Sequence, residues 1–272
     1  MGEMETFNMK NVWIRILVVV IIGITIWNFI TYLSDTFIGE GYSRTNHFFI
    51  AVITSALTFI LIQIALKVDK VHWKSIGQGT FKTNIFLFSL GFFLWVVPAS
   101  IGLIICLTLG WVEVTLFSGL ENLLFSILIL FITVFLIEAL PEELIFRGYI
   151  YRYLNVDFPH WITLIIQTLL FSFFAYFIGA IYSFEQLQFI PGFALILGYL
   201  RAVSGNIWTS IGFHVAIMTA MQILGPIHSH FDVSGMMMLQ FFAFILLPSA
   251  IAATVLSVIF PNHQWYKKEP IF

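Results

Sequence analysis

Charge is scarce in this chain: 12 Lys and Arg and 14 Asp and Glu are spread over 272 residues, 10% of the total, where soluble domains carry about 25%. That shortage excludes an ordinary soluble globular protein. There is a single cysteine, Cys106, inside an apolar run, so no disulfide framework exists. The formal charge of -2 gives no basic surface for nucleic acid. Internal repeats, Pro- or Gly-rich linkers and low-complexity tracts are also missing. What is present is apolar mass: 60% of residues are hydrophobic and 18% aromatic, with a mean hydropathy of +0.99. These values predict an all-α fold, a polytopic bundle in the lipid bilayer, with residues 1–272 forming one transmembrane domain.

Spans of about 20 apolar residues predict eight transmembrane helices: Ile14 to Leu33, Phe48 to Leu66, Ile85 to Leu109, one starting near Leu123, Trp161 to Ile181, Phe189 to Val203, Ile207 to Leu224, and Met236 to Phe260. The first follows Lys10 and Arg15, as in a signal peptide, but it is too long and no small-x-small cleavage pattern follows, so an uncleaved span is expected. Pro98 predicts a kink in the third span. Pro191-Gly192 predicts that the sixth begins inside the membrane. With both termini in the cytoplasm of a multi-pass cell-membrane protein, eleven of the 12 basic residues fall on or near the cytoplasmic side. Only Arg44 falls outside, whereas Asp35, Glu40, Glu113, Glu121, Glu185 and Asp232 lie in outer loops, a bias that fits the positive-inside rule.

The fourth span contains Glu138-Ala-Leu-Pro-Glu142-Glu143-Leu-Ile-Phe-Arg147-Gly-Tyr-Ile-Tyr-Arg152. An ionisable group at mid-bilayer costs roughly 2.5 to 3.5 kcal/mol even on the lowest scales, so such residues face protein or water and mark functional sites. Helical spacing puts Glu138 with Glu142, and Glu143 with Arg147, on shared faces; the acid-before-base order of the second pair favours an ion pair. Glu142 is left without a local cation, in the position of a general base or acid. Pro141 cannot donate to the carbonyl four residues back, which predicts a kink or a fresh helix start.

Depth selects a partner. At 1.5 Å per residue, Glu142 lies about 15 Å from Arg152 and His214 about 12 Å from Asn206, so both sit at like depth, facing one cavity that opens to the cytoplasm. A histidine serves as ligand, base or oxyanion donor. His228-Ser-His230 has spacing suited to a metal, but the topology places it outside, away from Glu142.

Glu142-Glu143-Leu-Ile-Phe-Arg147 resembles the Glu-Glu-x-x-x-Arg signature of the CPBP intramembrane proteases, also called CAAX-prenyl-protease or Abi-type proteins. The stretch Leu197-Gly198-Tyr199-Leu200-Arg201 through Gly212-Phe-His214 is similar to the segment leading to that family's last His motif. The resemblance covers roughly residues 123–224. It implies Glu142, Glu143, Arg147 and His214 as catalytic residues, with Glu142 activating water against a peptide bond, Arg147 orienting Glu143 and His214 stabilising the oxyanion. Two positions depart from the family pattern. The Phe-x-x-x-His motif ends at Ala175 after Phe171-Ser-Phe-Phe, and the His-x-x-x-Asn motif ends at Met218.

The resemblance leaves a divalent metal such as zinc open as cofactor. Zinc catalysis needs about three protein ligands plus water, and Glu142, Glu143 and His214 are the only candidates. The reading favoured by the two departures is a protease-like protein with a depleted active site that binds a membrane-embedded peptide or protein, as bacteriocin-immunity-type relatives do. The alternatives are an active glutamate-dependent or metal-dependent endopeptidase, and an ion-coupled carrier relaying protons through Glu138, Glu142 and Glu143.

Overall fold

The computed structural model describes residues 9–37, 44–225, 227 and 230–270. Lys10, Glu40, Arg44 and His228, used above in the charge and metal readings, fall outside the described residues or have side chains outside them. Eight described helices are long and apolar enough to cross a membrane: α1 Met9–Phe37, α2 Arg44–Asp69, α3 Phe81–Thr108, α4 Leu120–Asp157, α5 His160–Phe177, α6 Phe184–Ser204, α7 Ile207–Leu224 and α8 Met236–Ile259. The seventh span matches its sequence expectation residue for residue. The sixth starts earlier than expected: Ser183 caps it by accepting from Gln186 N–H, and the helix runs on through Pro191. Pro191-Gly192 therefore lies inside a helix rather than at its start.

Burial shows which helices are central. Over their most apolar 18 residues, α7 and α6 are 67% and 61% buried, against 28 to 39% for the same stretch of the other helices; in α4 the later part is the central one, with every residue from Pro141 to Val156 buried. The outer helices turn large apolar side chains such as Ile21, Phe49, Ile60, Phe86 and Phe93 outward, the expected surface for lipid. Close packing of α7 on α3 requires glycine: a Cβ at Gly91 would stand 1.9 Å from the Thr209 carbonyl oxygen, and one at Gly212 would stand 2.0 Å from the Phe88 carbonyl oxygen. The helices meet backbone to backbone, the contact that small residues permit in membranes.

Helix α4 carries the acidic motif without a break. Two π-helical stretches, Phe135–Ala139 and Leu144–Ile150, flank the short α-helical Leu140–Glu143. Leu140 N–H bonds to Phe135 O, five residues back. In that register the next donor would bond to Leu136 O, but the next residue is Pro141, which has no N–H. Ser55 of α2 donates its hydroxyl to Leu136 O instead. The expected kink or fresh start is thus replaced by a widened turn with a side-chain donor from a neighbour, a device by which membrane helices tolerate proline.

The two ends of the bundle differ. At one end Asp69 takes Arg15 at 2.6 Å, the Tyr149 hydroxyl at 2.6 Å and the Tyr153 hydroxyl, tying α1, α2 and α4 together. The lysine-rich loop after α2 closes over the same end, where Gly77 O accepts Ile207 N–H. The C-terminal segment crosses it too: Glu269 pairs with Arg152 at 2.7 Å and Arg201 at 3.5 Å. At the opposite end a two-stranded antiparallel ribbon joins β1 Glu113–Leu116 to β2 Phe231–Ser234, with Glu113 opposite Ser234 and Leu116 opposite Phe231.

Candidate functional site

The expected ion pair is present. Arg147 Nη1 lies 3.1 Å from Glu143 Oε1, and both side chains are fully buried. Arg147 Nη2 donates to the Ala194 carbonyl of α6 at 3.0 Å, and the guanidinium lies over the Phe171 ring of α5 at 4.6 Å. One arginine therefore fixes α4 against both neighbours. Its planar fork suits this task better than an ammonium would.

Glu143 in turn holds His214: Nδ1 is 3.0 Å from Glu143 Oε1. A carboxylate paired with a guanidinium accepts, so the ring proton resides on Nδ1 and Nε2 turns its lone pair outward. Nε2 lies 3.9 Å from Glu142 Oε2. That is beyond hydrogen-bond reach but suits two groups that touch one water. Phe193 packs edge-on against the imidazole, with centroids 4.8 Å apart. The four residues selected from sequence thus meet in one place, Arg147 orienting Glu143, Glu143 orienting His214, and His214 facing Glu142. Glu142, Glu143 and Arg147 are 8%, 0% and 0% exposed, which excludes a solvated helix end.

Glu142 and His214 line a cavity of about 680 Å³. Ala175 and Met218 line it as well, so the two departures from the family pattern lie in the wall of the same site. Sequence reasoning missed further polar groups there. Gln222 Nε2 donates to Glu138 Oε1 at 2.6 Å, and Gln186 and Gln240 also line the cavity. A signal for the first pair was available: Glu138 precedes Glu142 by one turn, and His214, Met218 and Gln222 form an i, i+4, i+8 stripe on α7.

The cavity opens at the end opposite to the one expected. Its wall includes Ile178, Ala180 and Tyr182 between α5 and α6, and Gly225, Ile227 and Met236 after α7. Tyr182 and Ile227 are 79% and 74% exposed, so the cavity reaches the surface there. This is the end with the β1–β2 ribbon, not the end with the lysine-rich loop. The depth estimate placed the two residues correctly relative to each other, but did not show which connections the cavity passes between.

Among the described residues no group of three or more His, Cys, Asp or Glu is placed to hold a metal ion. Of the three candidates, Glu143 and His214 Nδ1 are committed to each other, leaving Glu142 and His214 Nε2 as donors, short of the three ligands of a catalytic zinc site. The donor set does not fit that cofactor. His230, the described half of the loop pair, has its Nδ1 2.8 Å from Ser118 Oγ and does not line the cavity.

Residues 124–220 match the family model described as type II CAAX prenyl endopeptidase Rce1-like. The match spans α4 through most of α7 and includes every residue of the Arg147–Glu143–His214–Glu142 relay. Among curated proteins and among solved structures, nothing matches the chain.

Proposed function

We propose that this chain, whose residues 124–220 match the Rce1-like family model, is an intramembrane protease-like protein that binds a peptide segment of a membrane-embedded or membrane-active partner in the cavity beside Glu142, with its hydrolytic chemistry curtailed. The observation that carries this reading is the presence of Ala175 and Met218 in the same wall as Glu142 and His214. The costly buried acids and the arginine that holds them are retained, while two positions where the family places a histidine and an asparagine supply no polar group. His214 does not make good the loss: with its proton on Nδ1 it offers a lone pair at Nε2, so the neutral ring is a proton acceptor rather than an oxyanion donor. An immunity-type role against a membrane-active peptide is one use of such a binder. Glu143 is held by Arg147 and His214 instead of lining the cavity, which argues against a proton relay through all three carboxylates.

The separation of 3.9 Å between Glu142 Oε2 and His214 Nε2 favours one second reading, slow hydrolysis. Glu142 or His214 would take a proton from a shared water as it attacks a peptide carbonyl. Loss of one oxyanion donor costs about 10² to 10³ in rate in a soluble protease. The test is purified protein in nanodiscs with labelled hydrophobic peptides, following binding and cleavage in parallel. Saturable binding without cleavage supports the binder, Glu142-dependent cleavage supports the second reading, and no binding to any membrane peptide overturns both.

A further inference from the structure

We infer that the cavity selects a peptide bearing a basic side chain, with Glu138 receiving the Lys or Arg head group. This rests on the peptide-binding reading above and names the class of segment that the site takes.

Among the described residues the cavity wall combines two carboxylates, Glu138 and Glu142, with six aromatic side chains, Trp27, Phe171, Phe174, Tyr182, Phe189 and Phe193, and no Lys or Arg. Such a combination is selective: an apolar wall alone would take any hydrophobic residue, whereas carboxylates among ring faces attract a cation on an apolar stem. Glu138 is placed to receive it. Its Oε1 accepts Gln222 at 2.6 Å, and its Oε2 is buried with no hydrogen-bond partner. A buried acceptor left in that condition carries a desolvation cost that a donor from a ligand would offset. Glu142 is 8% exposed and lines the same space, with His214 Nε2 3.9 Å from its Oε2.

Position supports the assignment. Glu138 is one helical turn from Glu142, about 6 Å along the axis, on the side toward the cavity mouth. Nearer the surface come Gln186 and Tyr182, so a chain entering from the mouth meets Glu138 before the Glu142–His214 pair. A Lys or Arg bound at Glu138 would leave the adjacent backbone beside that pair. The space, about 680 Å³, is far larger than an inorganic ion needs and suits a side chain with neighbouring residues.

The experiment compares two fluorescent peptides on the full chain in nanodiscs. Both are Leu-Ala transmembrane peptides of about 20 residues, identical except for one Lys or one norleucine near the end that enters at the mouth. The Lys peptide should bind about tenfold to a hundredfold more tightly, the worth of one charge-assisted hydrogen bond, and Glu138→Gln should abolish the difference between the two peptides. Equal binding of the two peptides by the wild type overturns the inference and leaves the peptide-binding reading standing. Binding of neither overturns both. A Lys preference that survives in folded Glu138→Gln, checked by its melting temperature, moves the cation elsewhere and overturns the assignment. Displacement of the Lys peptide by micromolar zinc or magnesium chloride would assign the carboxylates to a metal and likewise overturn it.

Discussion

His214 is held by Glu143, Nδ1 to Oε1 at 3.0 Å, and that one hydrogen bond determines what the ring can do. It fixes the proton on the nitrogen facing away from the cavity and directs Nε2 toward Glu142. Replacing Glu143 with Gln keeps the shape but removes the negative charge that Arg147 and His214 share. Arg147→Ala leaves Glu143 buried beside no guanidinium, and breaking a buried pair in this way costs about 3 to 5 kcal/mol. Thermal unfolding in detergent should therefore show Arg147→Ala as strongly destabilised, and the combined Glu143→Gln and Arg147→Met change as milder than either single change. Additive losses in the double variant would mean that the pair is not energetically coupled.

The contact between α3 and α7 predicts a packing failure. Gly212→Val places its side chain against the Phe88 carbonyl, and overpacking of this kind costs about 1 to 3 kcal/mol or more. The yield of folded protein and the melting temperature should both fall, with Gly91→Val behaving alike because it meets the Thr209 carbonyl. Wild-type stability in both variants would contradict the backbone-to-backbone crossing.

The C-terminal segment predicts a response to acid. Burial, with Lys267 nearby, holds the His263 pKa below its usual 6.5. The unfolded chain then binds the proton more readily than the folded one, so stability rises with pH across this window. The contribution is complete above 6.5, the unfolded value, and is lost as pH falls through the lower folded value. Limited proteolysis of the segment should accelerate below that pH, and His263→Gln should flatten the dependence. Glu269→Ala should destabilise the same end by about 1 to 3 kcal/mol, because it leaves buried Arg152 and Arg201 without its carboxylate.

Topology is open to a paired measurement. Thr115 faces Asp232 across the β1–β2 ribbon, in the same register that sets Glu113 opposite Ser234, so Cys substitutions at Glu113 and Asp232 must label from one side. The positive-inside bias predicts that side to be external and Lys74→Cys to label from the cytoplasm. Opposite sides for Glu113 and Asp232 would contradict the ribbon, and cytoplasmic labelling of both would reverse the orientation.

Much of the fold was legible because hydrocarbon imposes it: long apolar runs separated by charges can only be spans, and the start at Ile207 is set locally, by Gly205 in the left-handed region and by Asn206, whose side chain accepts from Trp208 N–H. The pairing of Glu143 with Arg147 and the shared depth of Glu142 and His214 followed from helical rise. Three features were not legible, each depending on contacts between distant segments. Ser55, 81 residues before Leu136, supplies the donor that lets α4 run through Pro141. The loops that border the cavity mouth depend on how α5 to α8 pack. Gln222 becomes part of the site only because α7 turns one face to Glu138.

The most direct test compares wild type with the combined Ala175→His and Met218→Asn variant for cleavage of membrane peptides in nanodiscs, each with and without Glu142→Gln. If the cavity is a protease site lacking two functional groups, the wild type binds peptide with little or no cleavage. The double variant should gain about 10² to 10³ in rate, the worth of a restored oxyanion donor, and lose it again with Glu142→Gln. A wild type that cleaves as fast as the double variant, or cleavage that survives Glu142→Gln, would contradict it.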